Sequence, residues 1–160
     1  MADVTRGDVE DLLFHEAALL DDWETMAWTE LYTEDAEYLV PPIDDPGADK
    51  REALFVINDD YHRLVQRAKR LTRRTAHAEF PHSKIRHMIS NVRILEQDAD
   101  GLLVASNQVV YRAKRQLLDT YVCHVLHRLV KQDGGLKIRS KRVMLDLDNL
   151  RPHGMVSIIL

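Results

Sequence analysis

The sequence predicts an α+β domain in which helices come first and a strongly curved antiparallel sheet follows. Three observations predict it. Apolar residues recur at helical spacing in the first half, whereas from Lys84 onward the pattern is nearly all strand. Asp98-Ala99-Asp100-Gly101 and Asp133-Gly134-Gly135 are hairpin turn sequences that fold the second half back on itself. The strand pattern also changes parity twice. Ile85, His87 and Ile89 share one face before Val92 and Ile94 take the other, and Leu136 and Ile138 give way to Val143, Leu145 and Leu147. Strand period is two, so each switch implies a bulge, one near Ser90-Asn91 and one between Ile138 and Val143, and bulges bend sheets.

Each element has its own signal. Thr5-x-x-Asp8 is a capping box, and Val9, Leu12, Leu13, Ala17 and Leu20 behind it give a first helix to about Asp21. Asp21-Asp22 caps a second helix with Trp23, Met26, Ala27 and Leu31 as its stripe, Trp23 being core. Trp23 and Trp28 lie five apart and form no single cage. A short strand from Ala36 to Val40 stops at Pro41-Pro42, and Ile43 to Lys50 is an exposed loop. Ala53 to Ile57 is apolar on both parities, as suits a segment buried on both faces. Asp59 or Asp60 caps a third helix with Tyr61, Leu64, Val65, Ala68 and Leu71 inward. Arg63, Arg67, Lys69 and Arg70, with Arg73 and Arg74, make a basic stripe, read as a solvated face over a phosphate or protein dock. Strands then run from Pro81, an edge or start residue, to Leu95, and over Leu102–Arg112, Thr120–Val130 and Leu136–Asp148. The tail from Met155 to Leu160 is too apolar to stay in water and should dock within the chain or on a neighbour.

Composition narrows the function. The 160 residues suit one domain, 1–160, with 45% hydrophobic and 30% charged residues, and no run approaches a membrane span. A net charge of −4 argues against a general nucleic-acid binder. The N-terminal residues have no apolar signal-peptide core, so a cytoplasmic location is expected. Cys123 is the single cysteine, which excludes an internal disulfide.

A curved sheet closed by N-terminal helices resembles the cone-like, nuclear-transport-factor-like or cystatin-like fold. Within it the residues are similar to the small β subunit of bacterial aromatic-ring-hydroxylating dioxygenases. Four pieces carry that resemblance across nearly the whole chain: Glu16-Ala17-x-Leu19-Leu20-Asp21-x-Trp23; Leu31-Tyr32-x-Glu34-Asp35-Ala36-Glu37-Tyr38; Pro81-x-Ser83-x-x-Arg86-His87-x-x-Ser90-Asn91-Val92; and Lys137-Ile138-x-x-Lys141-x-Val143-x-Leu145-Asp146 with Ile158-Ile159-Leu160. The basic connection Ala113-Lys114-Arg115-Gln116 departs from it. The resemblance implies a larger α subunit carrying a Rieske [2Fe–2S] cluster and a mononuclear iron, with three of each chain in a hexamer fed by NAD(P)H through carrier proteins. It implies a supporting rather than catalytic role for this chain, no cofactor of its own, and a trimer when alone.

Chemistry within this chain alone would need particular residue sets. A Rieske centre needs two cysteines and two histidines, and one thiol closes that route. His82 and His87 are five apart on a strand, on opposite faces and roughly 16 Å apart, and His124 and His127 also diverge. His87, His127 and Asp35 from separate elements remain open as an iron trio, as do Tyr32, Asp35 and His87 as acid and base of a lone dehydratase or isomerase. A ligand-binding cone without chemistry is a further alternative. Arg86, a charged donor amid apolar strand residues, is expected to meet a carboxylate or carbonyl, foremost Asp35 or Glu37, or a group on an adjoining subunit. Arg86, His87, Asn91, Trp23, Asp35, Glu37 and Leu160 are therefore structural or interface candidates, with no catalytic or metal residue assigned.

Overall fold

Thr5 opens the first helix as the capping box requires: its hydroxyl accepts from the Asp8 N–H at 3.2 Å while the Asp8 carboxylate accepts from the Thr5 N–H at 2.8 Å. The computed structural model describes residues 3–73, 79, 81–148 and 156–160. Arg74 of the basic stripe and Met155 of the tail lie outside the described residues. Helix α1 (Arg6–Asp21) turns Val9, Leu13, Glu16, Ala17 and Leu20 inward. It closes with the Glu24 N–H on the Leu19 carbonyl at 2.8 Å and the Trp23 N–H on the Leu20 carbonyl at 3.1 Å, the Schellman pattern. The left-handed position of that motif normally takes glycine, yet Trp23 occupies it at φ 59°.

That turn corrects the second helix. With Trp23 left-handed, α2 (Thr25–Thr29) has only five residues; its buried stripe is Thr25, Trp28 and Thr29, and Met26 is exposed. Trp28 is the fully buried tryptophan, and Trp23 packs half-buried at the rim. Strand β1 (Tyr32–Val40) starts four residues earlier than its apolar pattern suggests, because Glu34 and Asp35 stay extended but exposed at a register shift. The apolar run before β2 (Ile57–Asp60) is not buried on both faces: Phe55 and Ile57 face inward while Leu54 is 93% exposed. Asp60 caps α3 (Tyr61–Leu71), accepting from the Arg63 N–H at 2.9 Å. Of the basic stripe, Arg67 pairs with Asp59 at 2.6 Å, and Arg63, Lys69, Arg70 and Arg73 face solvent.

Four long strands follow: β3 (Lys84–Asp98), β4 (Gly101–Lys114), β5 (Leu117–Gln132) and β6 (Gly135–Leu145). Both expected bulges are present. The β3–β4 register shifts between Ser90 and Arg93, where Asn91 takes φ 52°, a region asparagine tolerates. The β5–β6 register shifts at Arg128/Leu129, which leaves Arg139 as the extra residue. Gly101 is held to glycine, since a Cβ there would sit 2.2 Å from the Leu129 carbonyl. The sheet order is β2-β1-β6-β5-β4-β3, and one pairing corrects the antiparallel expectation: β1 runs parallel to β6. The sheet is mixed because the chain returns to β1 only after three long hairpin strands. The core between helices and sheet joins Leu13, Trp28, Tyr38, Leu64, Val125 and Leu129 with the tail residues Ile158 to Leu160.

Candidate functional site

A curved sheet capped by helices offers its concave interior as a site, and here polar groups converge on Glu16. Helix α1 carries that carboxylate into the core. One oxygen accepts from the Trp28 indole and the Tyr32 phenol, each at 2.8 Å. The other accepts from Lys141 Nζ at 3.1 Å and faces His127 Nε2 at 3.2 Å. Lys141 and His127 are cross-strand neighbours on β6 and β5, so one register places both. Burial pushes the Glu16 carboxyl up, but the Lys141 ammonium and the His127 and Trp28 bonds outweigh it and hold it well below the usual carboxylate range. Burial lowers His127 despite Glu16, with the Lys141 charge adding to the fall. Neutral His127 then donates from Nε2 and keeps Nδ1 bare, and Nδ1 has no hydrogen-bond partner. Burial and the Glu16 charge raise Tyr32 well above its ordinary value. Its phenol is a donor fixed in place.

The mouth of the interior is closed by the tail. Residues 156–160 cross it as a strap, with Ile158, Ile159 and Leu160 buried. The Leu160 N–H donates to the Tyr38 phenol at 3.1 Å, and Ser157 Oγ donates to Glu79 at 2.5 Å. His87 Nε2 lies 3.0 Å from the Ile159 carbonyl, while its Nδ1 lies 2.6 Å from Asp21. The His87 backbone N–H also donates to Asp21 at 3.1 Å. Both ring nitrogens thus lie against oxygen atoms, one of a carboxylate and one of a backbone carbonyl. Glu79 is buried and also takes Ser83 and the Arg112 guanidinium, which reaches on to Asp119 at 3.0 Å. Between Leu20, Trp23, Thr25, Leu71, Ile85 and Ile159 a cavity of about 10 Å³ remains, barely one water.

The candidate residues fall in separate places. Tyr32 is bound to Glu16, His87 to Asp21 and Ile159, and Asp35 to Thr33 at 2.7 Å and Arg139 at 3.4 Å on the exposed side of β1. Tyr32, Asp35 and His87 are thus not assembled as an acid–base set, and His127 lies with Glu16 rather than with His87 and Asp35. Among the described residues no three His, Cys, Asp or Glu side chains group to hold a metal ion, and Cys123 is a buried lone thiol pushed up to about 12 by burial. Arg86 corrects its expected pairing: it is exposed on the outer face and donates to the Ile85 carbonyl at 2.9 Å, while Glu37 bonds Lys50. Asn91 serves the bulge, and Trp23 stacks on His82 at 4.0 Å and donates to the Ser83 carbonyl at 2.9 Å. Glu16 and Lys141 escaped notice as site residues, although both stand where an apolar residue belongs. Glu16 continues the Val9, Leu13, Leu20 stripe, and Lys141 shares inward parity with Val143 and Leu145.

Compared with known proteins, residues 15–152 match the family described as "Ring hydroxylating beta subunit". The chain is 52% identical over 158 residues to the small oxygenase component of the p-cumate 2,3-dioxygenase system of Pseudomonas putida, covering 98% of this chain and 88% of that one. It superposes on the β subunit of benzoate 1,2-dioxygenase from Burkholderia mallei with a TM-score of 0.79 at 25% identity, over 91% of this chain and 93% of that one. A naphthalene 1,2-dioxygenase structure with indole in its active site gives 0.81 at 22% identity, over 97% and 85%. An NTF2-like protein with a cystatin-like fold from Novosphingobium aromaticivorans gives 0.63 at 16%, over 90% and 83%.

Proposed function

We propose that this chain, which belongs to the ring hydroxylating beta subunit family, is the non-catalytic structural component of its dioxygenase: it supports assembly of a large oxygenase chain and does no chemistry itself. The observation that carries this reading is the filled interior. Where a cone-fold enzyme needs space for a substrate, Glu16, Tyr32, Lys141, His87 and the Nε2 of His127 are each engaged with another part of the chain, and the cavity beside Ile159 holds about 10 Å³. His87, Trp23 and Leu160 act in this reading as braces of the mouth, and Asn91 as the residue that bends β3. Arg86, Asp35 and Glu37 lie at the surface as contact candidates. The whole chain works as one unit in the cytoplasm. The large partner carries the Rieske [2Fe–2S] cluster and the mononuclear iron, three of each chain form the complex, and electrons derived from NAD(P)H reduce dioxygen there. The aromatic substrate is selected on the large chain, and p-cumate, acted on by the relative's system, is the first compound to test.

The test is expression of the chain alone and together with the large oxygenase chain encoded beside it. The pair is expected to co-purify in equal amounts and to take up oxygen with an aromatic acid and a reducing system. The isolated chain is expected to carry no stoichiometric iron and to turn over neither aromatic nor dehydratase substrates. Turnover by the isolated chain, lost on replacing Tyr32 or His87, would return the lone-enzyme reading.

A further inference from the structure

The strap across the mouth is held differently from the elements around it. Among the described residues, 156–160 form no strand, and no backbone–backbone hydrogen bond ties them to a helix or to the sheet. Side chains hold them instead. Tyr38 accepts from the Leu160 N–H at 3.1 Å, His87 Nε2 meets the Ile159 carbonyl at 3.0 Å, and Ser157 Oγ reaches Glu79 at 2.5 Å. Around Ile159 the walls are Leu20, Leu71 and Ile85, with Thr25 and the half-buried Trp23 at the rim. A few placed polar groups that fix a main chain, and apolar walls that take its side groups, are the features of a ligand pocket.

We propose that residues 158–160 are a displaceable occupant of a ligand site in the cone mouth. When they leave, the site takes a small neutral molecule with an aromatic or branched apolar body and one carbonyl oxygen. That oxygen takes the place of the Ile159 carbonyl on His87 Nε2, and the body fills the space that Ile159 vacates beside Leu20, Leu71 and Ile85. An apolar space of roughly 150 Å³ holds a benzene-sized molecule, and the side chains of Ile159 and Leu160 together vacate space on that order. The oxygen belongs to a neutral group because Asp21 lies 2.6 Å from the other nitrogen of the same ring. A carboxylate entering there would meet a second carboxylate across one imidazole, whereas a neutral carbonyl reproduces what Ile159 offers. The site lies within this chain and goes beyond the component reading, which holds whether or not the site is filled. Opening and binding are linked: a ligand reaches only the open fraction, so its apparent affinity is the intrinsic one reduced by that fraction. Loosening the strap without touching the ligand's contacts therefore tightens binding.

The test uses the full chain and acetophenone, with α-methylstyrene as the isostere that lacks the oxygen and benzoate as the anion of similar size. Binding is followed by the shift of the Trp23 indole N–H resonance. Tyr38→Phe removes the acceptor for the Leu160 N–H and adds little space, and it should tighten acetophenone about threefold to tenfold over wild type. In Tyr38→Phe, acetophenone should bind at least about threefold tighter than α-methylstyrene or benzoate. Adding His87→Leu should abolish the preference over α-methylstyrene; the open fraction cancels from that ratio, so it reads the oxygen contact alone. In wild type the Leu160 amide should exchange about a hundredfold or more faster than amides at the centre of β5, through openings that leave the sheet intact. The proposal is overturned by acetophenone binding that Tyr38→Phe leaves unchanged or weakens, by no binding in either protein, by no preference for the carbonyl, or by a Leu160 amide as slow as β5. None of these measurements involves the large chain, so such a failure leaves the component reading standing. A chain that binds acetophenone as described but never co-purifies with a large oxygenase chain removes the component reading alone.

Discussion

The interior of the cone and the β4–β5 tip invert the usual placement of residues. Inside, a carboxylate, an ammonium and an imidazole meet on one oxygen atom; outside, two leucines stand bare in solvent. Burying the first set is unfavourable unless every partner is present, and exposing the second is unfavourable unless something covers it. The interior resolves its problem within the chain, through Trp28, Tyr32, Lys141 and His127, whereas at the tip Leu117 and Leu118 stay 70% and 64% exposed. The difference separates the groups that hold this protein together from those that do not, and each side can be broken independently.

The largest effect is expected inside. Lys141→Met keeps the volume but strands Glu16 as a buried charge, and should cost about 3–5 kcal/mol in urea denaturation. Next comes the strap: His87→Ala removes the links to Asp21 and to the Ile159 carbonyl and should cost about 2–3 kcal/mol, with faster amide exchange at Leu160. Losses below about 0.5 kcal/mol in both would dissolve the contrast between interior and surface.

Acid sharpens the comparison further. The folded state lowers His127 below its ordinary 6.5, so the unfolded chain binds that proton more readily; the His127 contribution is full above that value and is lost as pH falls through the folded one. Glu16 is lowered from 4.5, so its contribution is present above that value and is lost only in stronger acid. Melting temperatures of the wild type and of His127→Asn, followed downward from pH 7, should therefore draw closer before the carboxylate range is reached. Parallel curves would deny His127 its buried, neutral state.

The smallest effect is expected at Arg86. The sequence reading gave it a carboxylate or carbonyl partner, foremost Asp35 or Glu37; on the outer face it donates instead to the carbonyl of neighbouring Ile85, and Arg86→Ala should change stability by under about 0.5 kcal/mol. Its misplacement marks where sequence reasoning works. Parity and turn residues are local, so the four long strands and both bulges were legible from Ile85 to Ile94 and from Leu136 to Leu147. The parity that placed His87 inside necessarily placed Arg86 outside. The parallel pairing of β1 with β6 joins residues about a hundred positions apart and leaves no local trace. The shortened α2 was hidden because a tryptophan holds the left-handed position where glycine would have announced a helix end. The meeting of Glu16, His127 and Lys141 was half legible: each is polar at an inward position, but only the fold shows that they share a centre.

The central claim is that the interior polar groups hold the fold and touch no substrate, and Tyr32→Phe in the complete complex tests it most directly. The substitution removes one hydroxyl from Glu16 and nothing else. Melting temperature and oxygen uptake per intact complex should be measured on the same preparation. The account predicts a lower melting temperature, reflecting about 1–3 kcal/mol, with turnover per complex unchanged. An unchanged melting temperature with turnover reduced about a hundredfold or more would contradict it, since that is the signature of a lost acid or base.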